Sequence, residues 1–286
     1  MPHPVFFAEH PRKLLAELGI SPSKRLGQNF LHDRNVARKI VALAETLGGP
    51  FLEIGPGLGA LTGLLAEAGH ETVAVEVDRR LCAFLRERLG GSGVEVLEAD
   101  FLAVGEASFR RMFPSGGIVV GNLPYSISSP VVLRLLELRD IFPRAVLMLQ
   151  KEVAERLCAP PGGKEYGILS VYLGALSASK VEFPVRRSCF TPSPEVDSAV
   201  LSVRFRPGVP EALVDVLRTV VRAAFARRRK ALRNAPVPFL PGGSGEWVAL
   251  LAAAGIDPGA RAETVPPEGY LALARAAGAG SSREQG

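Results

Sequence analysis

From Pro50 to Gln150, short apolar segments alternate with segments of helical periodicity. The apolar segments PFLEIG, ETVAVEVD, VEVLEADF, GGIVVGNLP and RAVLMLQ have strand length, and GALTGLLAEAG and RRLCAFLRERLG carry apolar residues three or four positions apart. Alternation of strand and helix at this spacing predicts a parallel, doubly wound sheet. Ligands of such sheets bind beyond the carboxyl ends of the strands, so the residues that follow each strand are the first candidates for a site.

Further elements flank this region. Residues 34–47 have the apolar spacing of an amphipathic helix, and Asp33 is placed to cap its N-terminus. The segments SASKVEFPV (177–185) and SAVLSVRFRP (198–207) are predicted to be strands that pair antiparallel at one edge of the sheet.

The pattern changes at residues 206–212, where prolines and a glycine indicate a linker. We therefore predict a Rossmann-like α/β domain with an N-terminal arm over residues 1–206 and a smaller helical domain over residues 207–278. Residues 279–286, rich in Gly and Ser, are expected to be disordered.

Composition excludes several classes of protein. The cysteines Cys82, Cys158 and Cys189 are widely spaced, with no CxxC pair and no nearby histidine, so we expect neither a disulfide framework nor a metal site. The first residues lack a signal-peptide core, and no segment approaches the roughly 20 apolar residues of a membrane span. We expect a cytoplasmic protein without a membrane partner and, since no extended apolar surface is indicated, a monomer.

A glycine-rich loop lies between the first strand and the first helix of the alternating region. Gly55, Gly57 and Gly59 allow a ligand to approach the backbone and the helix N-terminus. Together with Ala60, the loop also matches the dinucleotide fingerprint, and Glu76 lies where a ribose-binding acid is expected. NAD therefore remains an alternative ligand.

Two acidic residues favour S-adenosylmethionine. Glu53 places a carboxylate next to the glycine loop, where it suits the cationic amino group of a methionine moiety and repels a pyrophosphate. Asp100 ends the third strand, where it can accept a hydrogen bond from an adenine amino group. Each acid alone is usually a solvated loop residue, but together, at the ends of consecutive parallel strands, they indicate a cofactor site.

The strand GGIVV ends in the segment GNLPYSISSP, which brings Asn122, Leu123, Pro124 and Tyr125 together. An adenine amino nitrogen is a poor nucleophile because its lone pair is delocalised into the ring. The Asn122 side-chain oxygen and the Leu123 carbonyl can accept both amino protons and direct the lone pair at a methyl group. Pro124 restricts Leu123 to extended geometry, and the Tyr125 ring can stack on the base. A strand-ending turn is the alternative interpretation.

A base that enters this site must leave its stack, so an unpaired loop or a single strand is the expected target. Phe190 is a candidate for the opposite face of a base sandwich, although ordinary core packing explains it equally well.

Basic residues are concentrated in one segment. Arg218, Arg222, Arg229 and Arg233 fall on one side of a single continuous helix and predict a phosphate-binding edge; a solvated helix face is the alternative. Arg228 projects toward the apolar side of this helix, so either its side chain reaches past the apolar surface or the helix ends earlier.

These motifs resemble those of the KsgA-type family of small-subunit ribosomal RNA adenine dimethyltransferases. The resemblance covers nearly the whole chain, in the segments KRLGQNFL (24–31), EIGPGLG (53–59), VEVD (75–78), AD (99–100), GNLPYSISSP (121–130), LQKEVAERL (149–157), YGILSV (166–171), FTPSPEVDSAV (190–200), AFARRRKALRN (224–234) and GIDPGARAETV (255–265).

The resemblance implies S-adenosylmethionine as cofactor and dimethylation of two adjacent adenosines near the 3′ end of small-subunit rRNA, late in subunit assembly. The implied cofactor-binding residues are Asn29, Leu31, Gly55, Gly57, Glu76, Asp100 and Asn122. The implied target-amine site consists of Asn122, Leu123, Tyr125 and Phe190. Lys24 and Arg25 can meet phosphate beside the cofactor, although a solvated arm is the default interpretation.

Three other functions stay open at this point. A large-subunit, antibiotic-resistance type methyltransferase shares the QNF and NLPY motifs, but GQNFL from Gly27 and the segment GIDPGARAETV resemble the small-subunit type. A binding protein that checks subunit maturation is a second alternative. An NAD-dependent reductase is the third.

Overall fold

The computed structural model describes residues 10–23 and 26–281. Lys24 and Arg25, two of the predicted RNA-binding residues, lie outside the described residues. Disorder was predicted to begin at residue 279, but the last helix continues to Ser281. It continues because the alanine-rich sequence before residue 279 favours helix. Residues 282–286 lie outside the described part of the chain.

The described residues form two compact units. The first comprises the residues up to Ala154 together with Lys180–Phe205, and the second comprises Glu155–Ser179 and the residues from Arg206 onward. The second unit is therefore not the single continuous segment expected from the linker at 206–212. Residues 155–179 also belong to the second unit, because they include a helix that packs on helices from beyond residue 206.

The first unit is built on a seven-stranded sheet. Its strands are β2 (Phe51–Ile54), β3 (Thr72–Glu76), β4 (Val94–Glu98), β5 (Ile118–Asn122), β6 (Arg144–Gln150), β7 (Ser177–Val185) and β9 (Ser198–Phe205). A separate antiparallel pair consists of β1 (Phe30–Leu31) and β8 (Phe190–Thr191). The helices are α1 (Pro11–Glu17), α2 (Arg34–Glu45), α3 (Ala60–Glu67), α4 (Arg79–Leu89), α5 (Glu106–Met112) and α6 (Ser128–Glu137), and α7 (Lys151–Leu157) crosses into the second unit.

The order of strands confirms the predicted doubly wound sheet. It is β4-β3-β2-β5-β6-β9-β7; the pairs from β4 to β6 are parallel, and β9 runs antiparallel to β6. The chain winds outward from β2 in one direction and from β5 in the other, so the crevice between these strands is the topological switch point where such folds bind ligands. β2 is buried along its whole length, as expected for a parallel strand covered on both faces.

Local sequence explains how the helices begin. Asp33 caps α2, as predicted, because its carboxylate accepts hydrogen bonds from the amides of Asn35 and Val36. Asp78 caps α4 by accepting from the Arg80 amide. Both acids follow strands or extended segments, so each cap also fixes the direction in which the chain leaves the sheet.

The second unit is helical. Its complete helices are α8 (Ile168–Leu176), α9 (Glu211–Phe225), α10 (Gly243–Ala253) and α11 (Pro267–Ser281). Helix α11 packs on α8, α9 and α10. Phe225 lies between the rings of Tyr166 and Tyr270, with ring centroids 6.3 and 6.0 Å away.

The single long basic helix predicted from the sequence is wrong. Helix α9 ends at Phe225, so Arg229 and Arg233 lie beyond it and do not continue the stripe of Arg218 and Arg222. After the helix, Ala231 pairs with Arg261 in an isolated bridge, and tertiary hydrogen bonds to residues 258–260 replace further helical turns.

The contacts of Arg228 also show that the helix ends before this residue. Its guanidinium forms an ion pair with Glu263 at 2.7 Å and donates to the Lys164 carbonyl at 2.6 Å. Of the two interpretations of Arg228, the earlier helix end is therefore correct.

Candidate active site

A cavity opens at the carboxyl ends of the central strands in the first unit. Its wall contains nearly all the residues predicted for the cofactor and the target amine. These are Asn29, Leu31, Gly55, Gly57, Glu76, Asp100, Asn122, Leu123 and Tyr125. Residues from five separate segments of the chain thus meet at the switch point of the sheet.

The glycine loop after β2 adopts a backbone conformation that disfavours residues with a side chain. Gly57 has φ +59°, and a Cβ there would lie 3.1 Å from the Phe30 ring. Helix α3 begins directly after the loop, and its N-cap, Gly59, offers no side-chain acceptor. The first amides of α3 are therefore not capped by that residue.

Glu76, at the end of β3, binds the glycine loop. Its Oε2 accepts from the Gly57 amide at 3.2 Å, and its Oε1 accepts from the amides of Val77 and Asp78 at 2.8 and 2.9 Å. Burial raises the pKa of Glu76, and the backbone amides partly oppose this shift because they stabilise the ionised form. Since a carboxylate oxygen can accept more than one hydrogen bond, Oε2 keeps capacity for a ligand hydroxyl.

Asp100 is exposed on the cavity wall after β4. Its Oδ1 accepts from the Leu102 amide at 2.9 Å and so caps the short turn Phe101–Ala103. This contact fixes the orientation of the carboxylate.

Glu53 is the most unusual carboxyl group in the cavity. It is 1% exposed, and its Oε2 has no hydrogen-bond partner among the described residues. Burial raises its pKa to about 8; the Thr62 hydroxyl opposes this shift and the charge of Glu76 adds to it. Because an unpaired buried charge is costly, burial favours the protonated Glu53 carboxyl at neutral pH, and a ligand cation would favour its ionisation.

The target-amine residues are held by their neighbours. Asn122 Nδ2 donates to the Asn29 carbonyl at 3.0 Å, which leaves Oδ1 on the other side of the amide. The Leu123 amide donates to the Met148 carbonyl at 3.0 Å. The Tyr125 hydroxyl and the buried Ser198 hydroxyl form a hydrogen bond at 2.8 Å, so the phenol ring is fixed at its far end.

Phe190 is not on the cavity wall. It lies opposite Leu31 in the β1–β8 pair, is 3% exposed and belongs to a core cluster with Val185 and Val200. The structure thus places Phe190 in core packing, the alternative that the sequence left open. Arg218, Arg222, Arg229 and Arg233 belong to the second unit.

Sequence reasoning missed three residues of the site: Gln28, Asp78 and Ser198. Gln28 lies on the cavity wall and donates to Asp78, and Ser198 anchors Tyr125. All three belong to quoted motifs, but their partners are 50 or more positions away in the sequence, so no local pattern signals the contacts.

From the sequence we expected neither a metal site nor a membrane span. Among the residues that the structure describes, no group of histidine, cysteine and acidic side chains is arranged to hold a metal ion. No helix in the described ranges is both long and apolar enough to cross a bilayer.

The sheet differs from the standard dinucleotide-binding sheet, whose six strands have the order 3-2-1-4-5-6, because antiparallel β9 lies between β6 and β7. With acids at the carboxyl ends of β2 and β3 and another acid after β4, the fold and site define a class I S-adenosylmethionine-dependent methyltransferase. The family model for ribosomal RNA adenine dimethylase matches residues 21–277. The chain belongs to this family.

Similar proteins agree with this assignment. A ribosomal RNA small subunit methyltransferase A from Geobacter sulfurreducens is 44% identical over 266 residues, which cover 90% of this chain and 95% of that protein. A dimethyladenosine transferase from Plasmodium falciparum has a TM-score of 0.72 at 26% identity, over 85% of this chain and 95% of that one. The 23S rRNA methyltransferase ErmE has a TM-score of 0.65 at 31% identity, over 87% of this chain and 99% of that one.

Proposed function

We propose that the protein dimethylates the N6 amino groups of two adjacent adenosines in a loop near the 3′ end of small-subunit rRNA. It acts as a monomer in the cytoplasm, on the small ribosomal subunit late in its assembly. The family match and the small-subunit relatives support the reaction and the class of substrate.

The residues of the cavity fit S-adenosylmethionine, which supplies an electrophilic methyl group when bound. Glu53 would hold the α-amino cation, because its buried Oε2 has no partner among the described residues and a ligand cation would stabilise its ionised form. Glu76 would accept from the ribose hydroxyls, and Asp100 from the adenine amino group. Gly55 and Gly57 leave room for the ligand beside the backbone, while Asn29 and Leu31 cover it.

The target amine would be held at the end of β5. Asn122 Oδ1 and the Leu123 carbonyl accept hydrogen bonds from the amino group of adenosine, and the lone pair then points into the cofactor cavity. One amino proton leaves to solvent as each N6–methyl bond forms. Tyr125 offers its ring as a stacking surface. Positioning supplies much of the rate acceleration, and the scheme needs no strongly basic group.

One observation carries this assignment: the hydrogen bond from Asn122 Nδ2 to the Asn29 carbonyl. A carbonyl acceptor requires the amide nitrogen on its side, so the amide oxygen is the atom left for the substrate. An acceptor oxygen is what an amino group needs.

The RNA would be bound through phosphate contacts. Arg222, Arg229 and Arg233 are exposed on the second unit and suit such contacts. Arg218 is less available, because it forms ion pairs with Glu211 and Asp215. The arm residues Lys24 and Arg25 complete the proposed set, and Phe190 would take part in base stacking only after leaving its packing in the core.

The test is methyl transfer from labelled S-adenosylmethionine to purified small and large ribosomal subunits that lack the modification. We expect label in small-subunit rRNA. Label confined to large-subunit rRNA would instead support the activity named for ErmE, and binding of NADH in preference to S-adenosylhomocysteine would contradict the cofactor assignment.

A further inference from the structure

Residues 26–31 run along the cavity wall, and one side chain in this segment is held at both ends of its amide. Gln28 Oε1 accepts from the Ser23 amide at 2.8 Å, and Gln28 Nε2 donates to Asp78 Oδ2 at 3.3 Å. Asp78 follows Glu76 at the end of β3 and is 7% exposed. Gln28 thus links residues 26–31 to the end of β3, which carries Glu76, the proposed ribose-binding acid.

The next residue in the segment contacts the target-amine site. The Asn29 carbonyl accepts from Asn122 Nδ2 at 3.0 Å, while Asn29 Nδ2 donates back to the Gly27 carbonyl at 3.2 Å. The orientation of the Asn122 amide therefore depends on where the backbone of residue 29 lies. That position is set by its two neighbours, Phe30 in the β1–β8 pair and Gln28.

Asp78 does not need Gln28 for its structural role. Arg80 binds the Asp78 carboxylate through Nε and Nη2 at 3.1 and 2.9 Å, and the Arg80 amide donates to Oδ1. Arg80 is the largest cause of the lowered pKa of Asp78, and Gln28 is a lesser one. Loss of the Gln28 side chain would thus leave the cap of α4 intact and loosen residues 26–29, while Phe30 and Leu31 stay paired with β8.

We propose that Gln28 is a positioning residue: by holding residues 26–29 against Asp78, it fixes the Asn29 carbonyl and thereby the orientation of the Asn122 amide. The coupling runs from Asp78 through Gln28 and the Asn29 carbonyl to Asn122. With Gln28 in place, Asn122 Oδ1 faces the substrate amine; without it, the Asn29 carbonyl is less firmly placed and the Asn122 amide rotates more freely. This inference rests on the proposed methyl transfer.

The first experiment measures steady-state methylation of small subunits by the wild type and by Gln28→Ala. We expect kcat to fall about 10- to 100-fold at saturating cofactor and RNA, because the acceptor oxygen is no longer held in place. A residue that only grips the cofactor would instead weaken binding of S-adenosylhomocysteine and leave kcat unchanged, and that result would overturn the proposal.

A second variant tests the link to Asp78. Gln28→Glu places a carboxylate opposite the Asp78 carboxylate and should be at least as impaired as Gln28→Ala. A wild-type kcat in Gln28→Glu would contradict the coupling.

Ser23→Ala is a matched control in the same segment. It removes the Ser23 Oγ acceptor of the Leu26 amide but keeps the Ser23 amide that donates to Gln28. We expect nearly wild-type kcat. A loss equal to that of Gln28→Ala would show that any loosening of the segment has the same effect, and the specific role of Gln28 would be wrong.

A direct measurement separates this inference from the proposed function. In NMR spectra of the full chain, the Asn122 side-chain NH₂ protons should exchange faster with solvent in Gln28→Ala than in the wild type, at equal thermal stability. This result would support the coupling even if the wild type methylated no rRNA. Unchanged exchange together with unchanged kcat would overturn it.

Discussion

Glu53 and Glu76 lie at the carboxyl ends of adjacent parallel strands and face one cavity, yet their carboxyl groups have opposite surroundings. Glu76 accepts hydrogen bonds from three backbone amides, whereas Glu53 Oε2 accepts no hydrogen bond from the described residues. Glu76 organises the glycine loop before any ligand binds. Glu53 instead keeps an unpaired buried oxygen, which a ligand cation would stabilise in its ionised form.

Glu53 should make the stability of the empty protein depend on pH. The pKa of Glu53 rises from 4.5 to about 8 on folding, so above pH 4.5 the folded state retains a proton that the unfolded state has released. The free energy of unfolding therefore falls as pH rises from about 5 to about 8. In Glu53→Gln this contribution is absent. Thermal unfolding of both proteins across this pH range should show the variant gaining stability relative to the wild type as pH rises; a constant difference would contradict the buried carboxyl.

Ligand binding should release this proton. At pH 7 the Glu53 carboxyl is protonated in the empty site, and the α-amino cation of S-adenosylhomocysteine would favour the ionised form. Calorimetry in buffers of different ionisation enthalpy should detect a release approaching one proton per ligand, decreasing above pH 8. Glu53→Gln should bind more weakly and release none. Equal release by the variant would assign the proton to another group.

The aromatic ring, rather than the hydroxyl, of Tyr125 should support RNA methylation. Tyr125→Ala removes the stacking surface and should lower kcat/KM for RNA by about 5- to 150-fold, which corresponds to about 1–3 kcal/mol. Tyr125→Phe keeps the ring but leaves the Ser198 hydroxyl without its partner, so it should cost about 1 kcal/mol of stability and little activity. Equal activity of the Ala and Phe variants would exclude stacking.

Substituting an exposed arginine of the second unit should change the salt dependence of RNA binding, whereas substituting an ion-paired one should change stability. Arg229→Ala should reduce the slope of log affinity for RNA against log salt concentration by about 0.7–0.9, the effect of losing one phosphate contact. Arg228→Ala breaks the ion pair with Glu263 and should lower thermal stability without changing this slope. The opposite pattern would place the phosphate contact at Arg228.

The parts of the fold that follow from local sequence are those that burial or capping determines. Strands covered on both faces keep continuous apolar sequences, so the five strands between residues 51 and 150 were predictable, and helical periodicity predicted α3 and α4 between them. The Asp33 cap was predictable because its partners are two and three residues away.

Other features depend on contacts between distant residues. Helix α9 ends at Phe225 because Arg228 pairs with Glu263, 35 positions away, and Ala231 pairs with Arg261. In the sequence, the position of Arg228 on the apolar side of the helix allowed an earlier end but did not indicate its partner, Glu263. Likewise, the link between Gln28 and Asp78 joins two motifs that sequence reasoning treated separately.

Asn122→Ala tests the central claim most directly. An alanine offers no acceptor oxygen to the amine and no donor to the Asn29 carbonyl. The measurement is mass spectrometry of nucleosides from unmodified small subunits incubated with S-adenosylmethionine and either protein. We expect N6,N6-dimethyladenosine at two adjacent positions with the wild type, and a loss of about 100-fold or more with a variant that still binds the subunit. Undiminished dimethylation by Asn122→Ala would contradict the account.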